Sequence, residues 1–253
     1  MTKPFATIRP ILMSVLYTVL ILVFPVIAGV IITIFSLGEV MSKLVQAGCF
    51  ALAVVSVYFI IKRKANSLYN VGFQRPAAKS AGKAFWYIPL LVVEVLQLIY
   101  GFEEGLSLQL LVTTLLVTIC VGLAEELYFR GLILKTIRQK NLWLAIILSS
   151  VLFGVGHLSN LAAGASVGGT ILQVIFAFLF GLVAAEISIL TESILIPIIW
   201  HTVHNFISFT SAAWPKTSEL ILFAVQCVVL LGYGIYLWRA ISRYSLKRGH
   251  HVS

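Results

Sequence analysis

The chain has no aspartate at all, and only 11% of its 253 residues are charged. A soluble domain carries about a quarter charged residues, so this deficit excludes an ordinary water-exposed globule. Cysteine is scarce too. Cys49, Cys120 and Cys227 all fall inside apolar runs, which reads as small core residues and excludes a disulfide framework. Neither an internal repeat nor a low-complexity tract is present, and no segment is long and polar enough for a separate soluble domain.

Hydrophobic residues fill the space that charge leaves, at 60% of the chain. Residues 10–38, 44–61, 106–124 and 220–238 contain no Asp, Glu, Lys or Arg, and residues 141–185 are free of charge for 45 positions. A membrane-spanning helix needs about 20 mostly apolar residues. The pattern predicts an all-α, polytopic membrane protein with about eight helices, near 10–36, 44–62, 84–101, 106–139, 141–158, 169–190, 192–213 and 219–240. The first run exceeds a signal-peptide core of about 7–15 residues, so it is expected to stay as a helix. Pro25 within it and Pro197 in the seventh helix are expected kinks.

Net charge is +9, but its distribution argues against nucleic acid. With eight spans and both termini cytoplasmic, 16 of the 18 basic residues lie inside; only Lys43 and Lys216 lie outside, near Glu39, Glu103, Glu104 and Glu219. That is the positive-inside bias of short loops. The partners implied are the lipid bilayer and a membrane peptide or protein; oligomeric state is not readable.

An ionisable group at the centre of a bilayer costs at least about 2.5–3.5 kcal/mol and marks function by default. Three clusters stand out. In "EELYFR", Glu126 and Arg130 are i, i+4, acid first, the favourable order for a helical ion pair. Glu125 lies about 100° round the helix and lacks such a partner. In "FGVGH", Phe153 sits one turn before His157, and Gly154 and Gly156 let a neighbouring backbone approach. In "HTVHN", His201, His204 and Asn205 share one helix side. Glu94, Glu186 and Glu192 stand singly and read as satisfied interior groups or loop-end charges. Glu125 and His157 are each 16 residues from Asn141, so they should stand at equal height on antiparallel neighbours, in the cytoplasmic half.

These three segments resemble, in order and spacing, the E-E-x-x-x-R, F-x-x-x-H and H-x-x-x-N motifs of the CPBP (Abi) intramembrane proteases. That family includes type II CAAX prenyl endopeptidases and bacteriocin-processing and immunity proteins. The resemblance implies a membrane endopeptidase with its core at 85–212, flanked by two N-terminal helices with a basic loop (1–84) and a last helix with a basic tail (213–253). It implies that Glu125 and His157 activate water, that His201 and Asn205 hold the oxyanion, and that Glu126 and Arg130 support them. His204 lies outside the pattern. The resemblance leaves two schemes open, glutamate-dependent without metal or metal-dependent, and fixes no cofactor. The metal-dependent scheme puts a divalent metal, zinc for example, on Glu125, His157 and His201. H-E-x-x-H is absent. The expected product is a cut near the cytoplasmic face, the expected setting a bacterial plasma membrane. The competing readings are a non-catalytic bacteriocin immunity or scaffold protein, and a proton-linked transporter.

Overall fold

A computed structural model describes residues 5–65, 67–77, 87–162, 164–213 and 215–249. These residues are helical, apart from turns and one isolated bridge between Phe102 and Ser211. The main helices are α1 (Phe5–Ile34), α2 (Glu39–Ala65), α3 (Ile88–Gln97), α4, α5 (Leu142–Gly156), α6 (Val167–Thr191), α7 (Leu195–Thr210) and α8 (Lys216–Gly249). Helix α4 is one continuous rod, Leu108–Glu126 in α form, Leu127–Ile133 as a π-helical turn, then Leu134–Arg138.

Six of the described helices are long and apolar enough to cross a membrane: α1, α2, α4, α5, α6 and α8. The expected eight crossings are not matched by length. Helix α3 has 10 residues and α7 has 16, or about 15 and 24 Å at 1.5 Å per residue, against a hydrocarbon core of about 30 Å. The predicted start of the third helix at residue 84 and the basic residues Lys3, Lys79 and Lys83 lie outside the described residues.

The bundle is built around α6. Of its most apolar window 61% is buried, against 22–39% for the other five long helices. Large apolar side chains such as Leu12, Leu16, Val19, Leu52, Phe59, Leu115 and Val228 are exposed on the outer faces, where lipid is their natural solvent. Small residues set the close approaches. A Cβ on Gly154 would lie 3.0 Å from the Val174 carbonyl, so α5 and α6 touch backbone to backbone there. Gly156, by contrast, faces only the Leu22 side chain. A Cβ on Gly122 would lie 2.5 Å from Thr202 Oγ1 and 3.2 Å from the Ile198 carbonyl, which seats α4 against α7.

The prolines do not break helices. Helix α1 runs through Pro10 and Pro25. The kink expected at Pro197 is instead a helix start. Helix α7 begins at Leu195, so Pro197 sits in its first turn, where the missing N–H is not needed. The carbonyl of Ser193 accepts from Thr191 Oγ1 at 3.1 Å. All three cysteines are free thiols.

The two ends of the bundle differ. At one end, residues 67–77 pack under α4 and the α6–α7 turn: Lys135 Nζ donates to the Asn70 carbonyl at 2.7 Å and Ile194 N to the Gly72 carbonyl at 2.8 Å. This basic end also holds Lys62, Arg63, Lys64, Arg138 and Arg239. At the other end, Glu103 N donates to the Thr210 carbonyl at 2.8 Å and Ala212 N to the Gly101 carbonyl at 3.0 Å, tying the α3–α4 connection to the end of α7.

Candidate active site

The ion pair foreseen within α4 is formed. Arg130 Nη1 donates to Glu126 Oε1 at 2.8 Å, with both side chains fully buried. The π-helical turn begins directly after Glu126 and carries Arg130; such turns recur at functional sites. The guanidinium also lies over the Phe153 ring, 4.4 Å from its centroid, a cation–π contact. Room for it is made by Gly181 on α6, where a Cβ would come within 3.2 Å of Arg130 Nη2.

Glu126 does more than neutralise Arg130. Its Oε1 lies 3.0 Å from His201 Nδ1. A carboxylate can only accept, so Nδ1 carries the proton and the ring is held with Nε2 pointing away. That Nε2 lies 3.9 Å from Glu125 Oε2. Glu125 is the more accessible of the acid pair, its side chain 17% exposed against 0% for Glu126. Two adjacent glutamates thus stand at opposite nitrogens of one imidazole, Glu126 within hydrogen-bond distance and Glu125 at 3.9 Å, across the α4–α7 contact that Gly122 permits.

His157 caps the end of α5, and its Nδ1–H donates to the Phe153 carbonyl at 2.9 Å. This leaves Nε2 as the free base. Phe153 joins the two histidines: its ring meets His157 edge-on at 5.1 Å and His201 at 5.7 Å. Phe153, His157, His201 and Asn205 line one cavity of about 520 Å³. Its apolar walls include Leu172, Phe176, Phe180 and Phe223, with Gln97, Gln173 and Gln226 as polar spots. Glu125 is not in this lining; it reaches the cavity through His201. Among the described residues no hydrogen bond or ion pair joins Glu125 to His157.

The cavity's depth corrects one expectation. Its lining includes exposed Gly169, Ala213 and Glu219, at the ends of α6, α7 and α8 remote from the basic loops. The hairpin count did make Glu125 and His157 level. However, α4 continues unbroken for 13 residues from Glu125 to Arg138, and His157 ends α5, so both stand about 20 Å or more from the basic end. The mouth therefore opens at the end opposite the basic one, not beside it.

His204 and Glu94 form a set that the sequence did not reveal. Glu94 Oε1 accepts from Trp200 Nε1 at 2.8 Å and from His204 Nδ1 at 3.1 Å. Gln97 Nε2 lies 2.8 Å from His204 Nδ1 and 3.1 Å from Nε2; since Nδ1 donates to Glu94, the amide N–H goes to Nε2. The ring stacks on Phe176 at 4.8 Å. Both nitrogens of His204 are thus occupied; Glu94 is satisfied at Oε1, while its buried Oε2 has no partner among the described residues. Glu186 departs from the satisfied interior group expected: among the described residues neither of its buried oxygens has a partner. The fixed spacing of Glu94, Gln97, Trp200 and His204 spans two helices far apart in sequence, so no local motif could have shown it.

For a metal, the free donors are Glu125 Oε2 and the Nε2 atoms of His157 and His201. No three His, Cys, Asp or Glu side chains converge closely enough to hold an ion among the described residues. The arrangement as it stands does not fit a three-ligand metal site.

Comparison with known proteins gives one family match, the type II CAAX prenyl endopeptidase Rce1-like family, over residues 107–207. No curated protein and no solved structure matches. The matched segment runs from the start of α4 into α7 and contains all three motifs. Over this segment the chain is similar to that family, which supports a CPBP-type intramembrane protease.

Proposed function

We propose that the protein hydrolyses a peptide bond of a membrane-associated peptide or protein in the 520 Å³ cavity. The observation that carries this reading is His201, fixed by Glu126 through Nδ1 and turned to Glu125 through Nε2, on the wall shared with His157 and Asn205. Packing alone has no use for two imidazoles and an amide on one cavity wall with a carboxylate behind one of the imidazoles.

In this reading Glu125 and the free Nε2 of His157 take the proton of an attacking water. The carbonyl oxygen becomes an oxyanion beside Asn205 and His201. The Asn205 amide donates directly. His201 donates through Nε2 only with both protons on its ring, because Nδ1–H is committed to Glu126. The proton held by Glu125 or His157 then passes to the leaving amine, and a carboxylate and an amine separate. No step here runs through a metal.

With the basic end cytoplasmic, as the loop charges favour, both termini lie inside and the cavity mouth faces outward. The substrate then reaches the site from the outer leaflet side of a plasma membrane. The aromatic walls of Phe176, Phe180 and Phe223 suit an apolar side chain or an isoprenoid-modified cysteine, the class that the family's name implies.

The test is direct. Purified protein is incubated with C-terminal peptides, with and without a prenyl group, in H₂¹⁸O, and products are read by mass spectrometry with and without chelator. One ¹⁸O in the new carboxylate, unaffected by chelator, is the expected result. Loss of cleavage on chelation, restored by a divalent ion, contradicts the metal-free scheme.

A further inference from the structure

We propose that the α3–α8 wall of the cavity reads a basic side chain of the substrate, arginine above all, close to the bond that is cut. This inference rests on the peptidase reading and names its substrate class: peptides with an arginine near the scissile bond, not chains that end there in a free carboxylate.

Helix α8 turns three residues of different chemistry to the cavity. Glu219, Phe223 and Gln226 are spaced i, i+4, i+7, on one helix face, and all three line it. Glu219 is exposed in the first turn of α8, at the mouth. Phe223 comes one turn further in, and Gln226, only 5% exposed, lies a turn beyond that. Gln97, 8% exposed, ends α3 on the same wall.

The protein orients both amides and leaves their oxygens over. Gln226 Nε2 donates to the Val93 carbonyl at 3.2 Å, one turn of α3 before Gln97. Gln97 Nε2 is taken up by His204. Among the described residues neither Oε1 has a hydrogen-bond partner, and neither is shut off from the cavity. A buried amide oxygen without a donor asks for one. The inner part of this wall thus offers two acceptors, and its outer part a carboxylate.

Positive charge is missing from the lining. Among the described residues no Lys or Arg lines the cavity, and Glu219 is its one acid. Lys43 of α2 meets the Phe209 ring instead, 4.1 Å from its centroid. With Lys43 and Lys216 set against Glu39, Glu103, Glu104 and Glu219, this end of the chain is net acidic.

The chemistry then selects the ligand. A terminal carboxylate would meet acceptors and an acid of its own sign. A guanidinium brings five N–H donors in one plane and stacks on aromatic rings. Laid on Phe223, it has the Glu219 carboxylate on its outer side and the Gln97 and Gln226 oxygens on its inner side. A lysine brings the charge without the planar fork. The aromatic wall of Phe176 and Phe180 stays free for a neighbouring apolar side chain.

The test uses short acetylated and amidated apolar peptides with one arginine at successive positions. Matched peptides carry citrulline, the uncharged isostere, or lysine or glutamate instead. Two readouts keep the readings apart: kcat/KM by mass spectrometry with the wild-type protein, and binding by fluorescence anisotropy to Glu125→Gln protein, which needs no cleavage. The arginine peptide is expected to lead its citrulline counterpart about tenfold in both, as a charge-assisted contact allows, with lysine between them and glutamate last. Glu219→Gln, on the exposed rim, should cut that lead severalfold while the citrulline peptide is cleaved at the wild-type rate. Glu219→Lys should bring the glutamate peptide ahead of the arginine one. Equal cleavage of the arginine and citrulline peptides, or a lead unchanged in Glu219→Gln, overturns the proposal and leaves the peptidase reading intact. An arginine lead in binding with no peptide cleaved upholds the subsite and overturns the peptidase reading.

Discussion

The two adjacent glutamates divide their labour through one imidazole. Glu126 binds Arg130 and His201 Nδ1 deep in the bundle, whereas Glu125 meets Nε2 from the accessible side. Glu126→Gln should therefore lower thermal stability by about 3–5 kcal/mol, the cost of stranding a buried partner. Glu125→Gln should leave the melting temperature near that of the wild type. Differential scanning fluorimetry in detergent compares them; equal destabilisation contradicts the division. Asn205→Ala should slow cleavage about 10²–10³-fold if the amide is one oxyanion donor. His204 is a different case. With Glu94, Gln97 and Phe176 holding its ring, His204→Ala should cost stability while cleavage per folded molecule persists. A loss of turnover with unchanged melting would move His204 into the chemistry. At this scale the sequence was informative where partners are four apart on one helix, as with Glu126–Arg130 and Phe153–His157. It was silent where partners come from different helices. Glu94–His204 and Glu126–His201 are 110 and 75 residues apart, and nothing local encodes such a contact.

At the level of elements, the site depends on how closely α4 approaches α7. That approach is set by Gly122, where a methyl would collide with Thr202 Oγ1 and crowd the Ile198 carbonyl. Gly122→Ala should push the helices apart, costing about 1–3 kcal/mol as overpacking does, and should weaken the Glu125–His201–Glu126 contacts. Activity should fall more than stability predicts. Adding Thr202→Ala removes the nearest clash and should restore part of both. Melting curves and cleavage rates of the single and double variants check this; no recovery in the double variant contradicts it. The helices themselves were legible because charge-free runs of about 20 residues have few alternatives. Their ends were less so. Pro197 in the first turn of α7 and the backbone ties of Glu103 and Ala212 to Thr210 and Gly101 bound that helix below a full crossing, an outcome that hydropathy averages away.

For the whole molecule, the decisive arrangement is polarity along the bundle axis: basic loops at one end, the cavity mouth at the other. Composition gave the bilayer and the sorting of charge. It could not give the depth of the site, since depth depends on α4 continuing as one rod through its π-helical turn to Arg138. Topology reporters should place the end after Arg243 inside and a fusion after Glu104 outside. A cysteine at Ser211, beside the mouth, should react with an impermeant thiol reagent added to intact cells. Protection at Ser211 with labelling at Gln74 would reverse the orientation.

The central claim is that Glu125 is required for hydrolysis and not for folding. The most direct measurement is the cleavage rate of one identified peptide by wild-type and Glu125→Gln protein, purified in parallel and matched for melting temperature. The account predicts cleavage by the wild type and none above background for Glu125→Gln. A Glu125→Gln protein that cuts at the wild-type rate would contradict it.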